Sequence, residues 1–326
     1  MLGKAINTAL LAALSLPNLI TRIPGGVAQG ILWGIMALGV YLTFRLLDIA
    51  DLTVDGSFAT GGAVTVMLII AGYPAYVALI IAVIAGMLAG LCTGLLHTKL
   101  GIPAILAGIL TQFALYSVNL RIMGMSANKP ANPDVYNLLI SLRSVPSAIV
   151  KGAIFAIVII AALYWYFGTE QGSAIRATGS NPAMSRAQGI NINNMKLIGL
   201  SLSNGMVALS GGLMAQYQGF ADVNMGRGAI VIGLAAVIIG EVLCDAIFRK
   251  GSQFYVRLSF VVLGGIVYYL VMVVILWLKL DPNDLKLFTA VIVAVFLAVP
   301  YIRSQSKSSF KLAGKQSKKE ANHAGT

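Results

Sequence analysis

Long stretches without a single charged residue limit the folds open to this chain more than any other feature. They are Gly25–Phe44, Gly56–Leu96, Gly101–Leu120, Gly152–Thr169, Leu197–Ala221, Gly228–Gly240, Leu258–Leu278 and Leu287–Ile302. A helix needs about 20 apolar residues to cross a bilayer. Charged residues make up only 10% of the chain, whereas a typical soluble domain has roughly 25%. We therefore predict an all-α, polytopic membrane protein.

The number of membrane crossings follows from these stretches. Gly56–Leu96 is long enough for two spans and has a turn signal at Ala71–Pro74 in its middle. This gives about nine crossings, or ten if Ala5–Ile20 also inserts. Gly228–Gly240 is short for a span, and we interpret it as a candidate half-helix, an element that transporters place beside a pathway.

Three regions are expected along the chain. Residues 1–24 form an N-terminal interfacial or partly inserted segment, which Pro17 interrupts, and residues 25–303 form the transmembrane domain. Residues 304–326 form a basic tail that we expect to be disordered, cytoplasmic and close to anionic membrane lipid.

The distribution of Lys and Arg predicts the orientation. With the tail inside and nine spans, 14 of the 23 cations fall on the cytoplasmic side. The insert Gly168–Lys196 is then cytoplasmic, whereas Gly124–Ala148 and Gly219–Gly226 are external. The net charge of +12 is dispersed between apolar spans, so it does not indicate a nucleic-acid partner.

Two ladders of glycines at every fourth residue predict close helix contacts. One comprises Gly26, Gly30 and Gly34, and the other Gly86, Gly90 and Gly94. Small residues at this spacing allow helix backbones to approach each other. The contacts lie either inside one subunit, which we favour, or at a dimer interface.

The cytoplasmic insert contains the signals of one short helix, PAMSRAQ. Asn181 is a good N-cap, Pro182 suits the first helical position, and Gly189 suits a left-handed exit. Such a helix between spans is a place where a soluble partner can dock. The residues concerned are Asn181, Pro182, Ala183, Met184, Ser185, Arg186, Ala187, Gln188 and Gly189.

Polar residues near or within the spans are candidates for a transport pathway, because they are costly in a membrane and are retained for function. The pathway candidates are Asp51, Asp55, Ser57, Gln112, Tyr116 and Asn119. Structural roles compete with this interpretation: Asp51 could cap a helix, Glu241 could pair with a base such as Arg249, and the amides could hydrogen-bond between helices. These acids are too sparse for a proton relay.

Catalytic and cofactor motifs are absent from the sequence. There is no G-x-x-x-x-G-K-[ST] phosphate loop, no H-E-x-x-H, no G-x-S-x-G and no Cys/His ligand cluster. We therefore expect a non-catalytic subunit without cofactor or metal, in which any ATP hydrolysis belongs to a separate partner.

Four collinear segments carry a family resemblance: DLTVDGSFATGGAV, LAGILTQFALYSVNLRIMG, GSNPAMSRAQGIN and GLAAVIIGEVL. They resemble permease subunits of bacterial ABC importers of the branched-chain amino-acid and ribose type, in the branch associated with tryptophan- or tyrosine-type binding lipoproteins. The resemblance covers Gly25–Arg303. It departs from ribose-type permeases at Ala5–Ile20, where the first span is short.

The resemblance implies a permease pair, most simply a homodimer, in the bacterial cell membrane. Cytoplasmic ABC ATPase subunits and an extracytoplasmic substrate-binding lipoprotein would complete the importer. The coupling helix would map onto Asn181–Gly189 and a broken helix near Asp51–Gly62. The expected cargo is a small solute, with an aromatic amino acid as the first choice. The alternative is a self-sufficient secondary transporter or channel, which would transport without ATP.

Overall fold

The computed structural model describes residues 16–248 and 253–277, with isolated helical residues at 287, 290, 291, 294, 295 and 298. The chain divides into two units, Met1–Lys279 and Leu280–Thr326. Most of the ninth predicted span, Leu287–Ile302, and the basic tail lie outside the described residues, as does the chain before Leu16.

The first unit is helical, and eight of its helices are long and apolar enough to cross a membrane, counting only the described residues. In chain order the helices are α1 (Leu16–Tyr41), α2 (Thr53–Ile70), α3 (Ala75–Thr98), α4 (Ala104–Ile122), α5 (Val145–Gly168), α6 (Glu170–Ser180), α7 (Pro182–Ala187), α8 (Ile192–Gln218), α9 (Ala229–Ile247) and α10 (Phe254–Trp277). A π-helical turn, Leu42–Leu46, extends α1, and a 3₁₀ turn, Leu142–Ser144, precedes α5. The predicted all-α membrane architecture is confirmed.

The first span starts earlier than the apolar pattern indicates. Helix α1 begins at Leu16 and continues through Pro24, so the boundary expected at residues 24 and 25 falls inside it. The helical conformation is then interrupted between Leu47 and Leu52, where Asp48 takes a left-handed φ of 54°. The break lies mostly before the segment Asp51–Gly62, because α2 is continuous from Thr53.

Both glycine ladders pack inside this subunit, as favoured from the sequence. A Cβ atom on Gly30 would lie 2.6 Å from the Cα of Ile266 in α10. A Cβ on Gly90 would collide with the carbonyl oxygen of Leu200 in α8. These two contacts leave no room for a side chain, so the glycines hold α1 against α10 and α3 against α8.

A segment before α9 runs back into the helix bundle. Helices α2 and α8 lie side by side, with Ser57 beside Asn204 and Gly61 against Ala208. Asn204 precedes the end of α8 by 14 residues, which is about 21 Å along a helix. Gly226 nevertheless meets the backbone of Asp55, close to the level of Ser57. The residues from Val223 to Gly228 are therefore re-entrant, and α9 begins inside the bundle.

The half-helix predicted over Gly228–Gly240 is wrong in length. Helix α9 continues to Ile247, and Glu241, the residue that ends the apolar stretch, forms an ion pair with Arg45 at 2.7 Å. The charge that ended the apolar stretch in the sequence is thus neutralised by a neighbouring element. Irregular backbone is present next to this helix, in the re-entrant segment that precedes its start.

A small antiparallel sheet joins the two loops that we expect to be external. Strand β1 (Asn128–Pro130) pairs with β2 (Phe220–Asp222), with Asn128 opposite Asp222. The longer loop also contains an ion pair in which Arg143 donates to both carboxylate oxygens of Asp134, and this contact lowers the pKa of Asp134. The two loops therefore form one connected surface at the same end of the bundle.

Candidate translocation site and coupling helix

A cavity of about 300 Å³ lies between α2, α4 and the re-entrant segment. It is lined by Asp55, Gly56, Ala59, Gln112, Phe113, Tyr116, Asn119, Val223, Asn224 and Arg227. Four of the six pathway candidates from the sequence, Asp55, Gln112, Tyr116 and Asn119, are thus brought together. On α4 the last three follow helical spacing, which places them on one side of the helix.

Asp55 fixes the start of α9 against α2. Its carboxylate accepts hydrogen bonds from the backbone N–H groups of Gly228 and Ile230, both at 2.9 Å. An acid at this position is favourable, because the N-terminus of a helix carries a partial positive charge and unpaired N–H groups. These bonds do not use all the lone pairs of the carboxylate, so Asp55 can also accept a bond from a ligand.

Asn119 is the most unusual polar group of the cavity. Its side chain is only 1% exposed, yet neither the amide nitrogen nor the amide oxygen has a hydrogen-bond partner in the described part of the chain. A buried polar group without a partner costs about 1–3 kcal/mol. Asn119 therefore keeps unused hydrogen-bond donors and an unused acceptor in the lining of the cavity.

Arg227 brings a positive charge to the same cavity. It lies in the re-entrant segment, is exposed, and forms no ion pair within the described residues. Its place in the cavity was not predicted, because a single arginine between two apolar stretches is typical of an ordinary loop. The flanking glycines Gly226 and Gly228 were the available signal of close backbone packing.

The other two pathway candidates, Asp51 and Ser57, belong to a separate buried cluster around Asn204. The amide nitrogen of Asn204 donates to Asp51 at 2.6 Å, and Ser57 donates to the amide oxygen of Asn204 at 2.6 Å. Asp51 also accepts from the backbone N–H of Thr53 at 2.9 Å, so it caps α2 as the structural alternative proposed.

The short helix predicted in the insert Gly168–Lys196 is present. The side chain of Asn181 accepts from the backbone N–H of Met184 at 3.0 Å, and Gly189 has a φ of 82°. Helix α7 is Pro182–Ala187, one residue shorter than predicted. Ser185 is buried, whereas the rest of Asn181–Gly189 is exposed, including the apolar side chain of Met184.

Helix α6, which was not predicted from the sequence, connects α7 to the bundle. Arg176 of α6 donates to the carbonyl oxygen of Phe167 at 2.7 Å and lies over the ring of Phe254. Gly179 meets the backbone of Leu46 so closely that no side chain would fit between them. The exposed helix α7 is therefore connected to the turn at the end of the first span.

Comparison with known proteins gives concordant matches. Residues 22–300 match the family described as branched-chain amino acid transport system, permease component. A tyrosine transport system permease protein of Clostridioides difficile (strain R20291) is 37% identical over 295 residues, covering 90% of this chain and 97% of that protein. The ribose import permease protein RbsC of Escherichia coli (strain K12) is 29% identical over 182 residues, covering 54% of this chain and 56% of that protein.

Proposed function

The chain belongs to the permease component family of branched-chain amino acid transport systems, and from this premise we propose that it forms the membrane path of an ATP-driven importer for an aromatic amino acid. The family places it among multi-pass permeases of ABC importers in the bacterial inner membrane. The aromatic cargo is inferred from the relative named as a tyrosine transport permease, which matches over nearly its whole length.

The observation that supports a transport path in this chain is the polar cavity between α2 and α4. Helix α4 exposes Phe113 and Tyr116 on the side where the cavity lies, with Gln112 beside them. Polar groups facing lipid are costly, so this side needs protein or water against it. We propose that a second copy of the chain faces it, which would enclose the path between two subunits.

The remaining partners follow from the two ends of the bundle. The exposed helix α7 would dock in a groove of a cytoplasmic ABC ATPase subunit. When the ATPase hydrolyses ATP, it would move α7, and α7 would move α6 and the bundle. The connected loop surface around β1 and β2 would receive the substrate-binding lipoprotein. The basic tail would stay at the cytoplasmic membrane surface.

Uptake into proteoliposomes tests this function. The permease is reconstituted with an ABC ATPase and a substrate-binding lipoprotein of the same organism that co-purify with it, and labelled L-tyrosine, L-tryptophan and L-phenylalanine are offered from the side of the lipoprotein. We expect uptake of at least one of them that requires internal ATP and the lipoprotein. Uptake by the permease alone would instead support the secondary transporter or channel.

A further inference from the structure

The cavity lined by Asp55, Asn119 and Arg227 has the chemical character of a ligand site. We propose that it binds a free α-amino acid, with the ammonium group at Asp55, the carboxylate at Arg227 and a further hydrogen bond to Asn119. This inference rests on the proposed function and adds a substrate-holding site in the permease itself, separate from the external binding protein.

The charges of the cavity match those of a zwitterion. Asp55 is the acidic and Arg227 the basic side chain of its lining, so an amino acid can pair both of its charged groups without leaving a net charge. A cation alone would leave Arg227 without a counter-charge, and an anion alone would leave Asp55 without one. Arginine suits a carboxylate in particular, since the planar guanidinium can donate two parallel hydrogen bonds.

Asn119 supplies the second, independent indication of a polar ligand. Its buried amide has unused donors and an unused acceptor, with both atoms unpartnered in the described residues. The amide can therefore accept from an ammonium group or donate to a carboxylate. A ligand that makes these bonds would satisfy the group at no cost to the helix packing, because Asn119 contributes no other side-chain bond to the described fold.

The size and lining of the cavity favour a single amino acid over a peptide. Its volume of about 300 Å³ is at the lower end of the range for small-molecule sites. Phe113 and Tyr116 give one side an aromatic surface, while Gly56 and Ala59 leave space opposite on α2. The polar groups thus hold the backbone of the ligand, and the aromatic side is left for its side chain.

The test uses the purified full-length permease in lipid nanodiscs, without ATPase or lipoprotein. The twenty standard L-amino acids, each up to its solubility limit, are screened by ligand-induced thermal stabilisation, and the best ligand is measured by equilibrium dialysis. Arg227→Gln and Asn119→Leu should each weaken binding by about 10- to 100-fold, the value of a hydrogen bond to a charged group. Arg121→Gln and Asn193→Leu are matched controls, since both residues are exposed and outside the cavity, and they should bind as the wild type does.

An analogue separates the two charge contacts. The amine that lacks only the carboxylate of the best ligand should bind the wild type more weakly, and Arg227→Gln should not weaken its binding further. Since Arg227 is exposed, Arg227→Gln should fold, and its binding data test the site even if Asn119→Leu fails to fold. The site is refuted if no amino acid binds the wild type, or if Arg227→Gln binds the best ligand undiminished. ATP-driven uptake without binding to the lone permease would refute this site and leave the proposed function intact.

Discussion

Met184 on the exposed helix α7 gives the sharpest test of ATPase docking. Its side chain is 58% exposed, although α7 is held in place by the bond to Asn181 and by buried Ser185. Burying a whole methionine side chain stabilises a contact by about 1.5–3 kcal/mol. Covering the exposed part would then contribute about 1–2 kcal/mol, so Met184→Ala should weaken ATPase binding by about 5- to 30-fold.

A second substitution on the same helix should act on coupling. Ala183 is exposed, and Ala183→Glu places a carboxylate where we expect a closed protein groove. Burying an unpaired charge is far more costly than losing a methyl contact. We expect ATP hydrolysis that substrate no longer stimulates, together with loss of uptake.

The assay compares ATPase binding to permease nanodiscs with substrate-stimulated ATPase activity and uptake in proteoliposomes. Gln171→Ala and Gln171→Glu are the matched controls, because Gln171 is exposed on the neighbouring helix α6. They should leave affinity and coupling unchanged. Wild-type affinity in Met184→Ala, combined with normal uptake in Ala183→Glu, would show that α7 is not the docking element.

Two further predictions concern stability and orientation. Asn204→Leu should lower the free energy of unfolding in mixed micelles by at least about 1.5–3 kcal/mol, because it removes the hydrogen bond to the buried carboxylate of Asp51 and the bond from Ser57; an unchanged unfolding curve would mean that these bonds contribute nothing. A single cysteine at the exposed position Asn132 should react with a membrane-impermeant maleimide from outside the cell, and less when the lipoprotein is docked. Labelling only from the cytoplasmic side would reverse the orientation, and with it the assignment of α7.

Hydropathy predicted the spans well because a membrane helix needs its apolar length whatever it packs against. It failed where an element borrows a partner from elsewhere in the chain. Glu241 ended a predicted helix in the sequence, but Arg45 neutralises it in the structure. The start of α9 could not be predicted either, since it depends on Asp55, which is more than 170 residues away along the chain.

The residues of the candidate site were also predicted only in part from the sequence. The spacing on α4 was enough to place Gln112, Tyr116 and Asn119 together. The composition of the span could not separate Asp55, which faces the cavity, from Ser57, which bonds to Asn204. Two residues of one helix turn face different neighbours, and only the packing of the helices decides which of them lines the cavity and which bonds to Asn204 of α8.

Packing also connects helix α7 to the cavity through one continuous set of contacts. Helix α7 follows α6, whose Gly179 meets the backbone of Leu46 at the end of the first span. A few residues later Asp51 binds Asn204 and caps α2, the helix that carries Asp55. Asp55 in turn holds the first turn of α9 and lines the cavity. If an ATPase moves α7 as proposed, the displacement reaches the cavity through close backbone contacts and buried hydrogen bonds. We therefore expect the position of α9 relative to α2, and with it the opening between Asp55 and Arg227, to change with the nucleotide state of the ATPase.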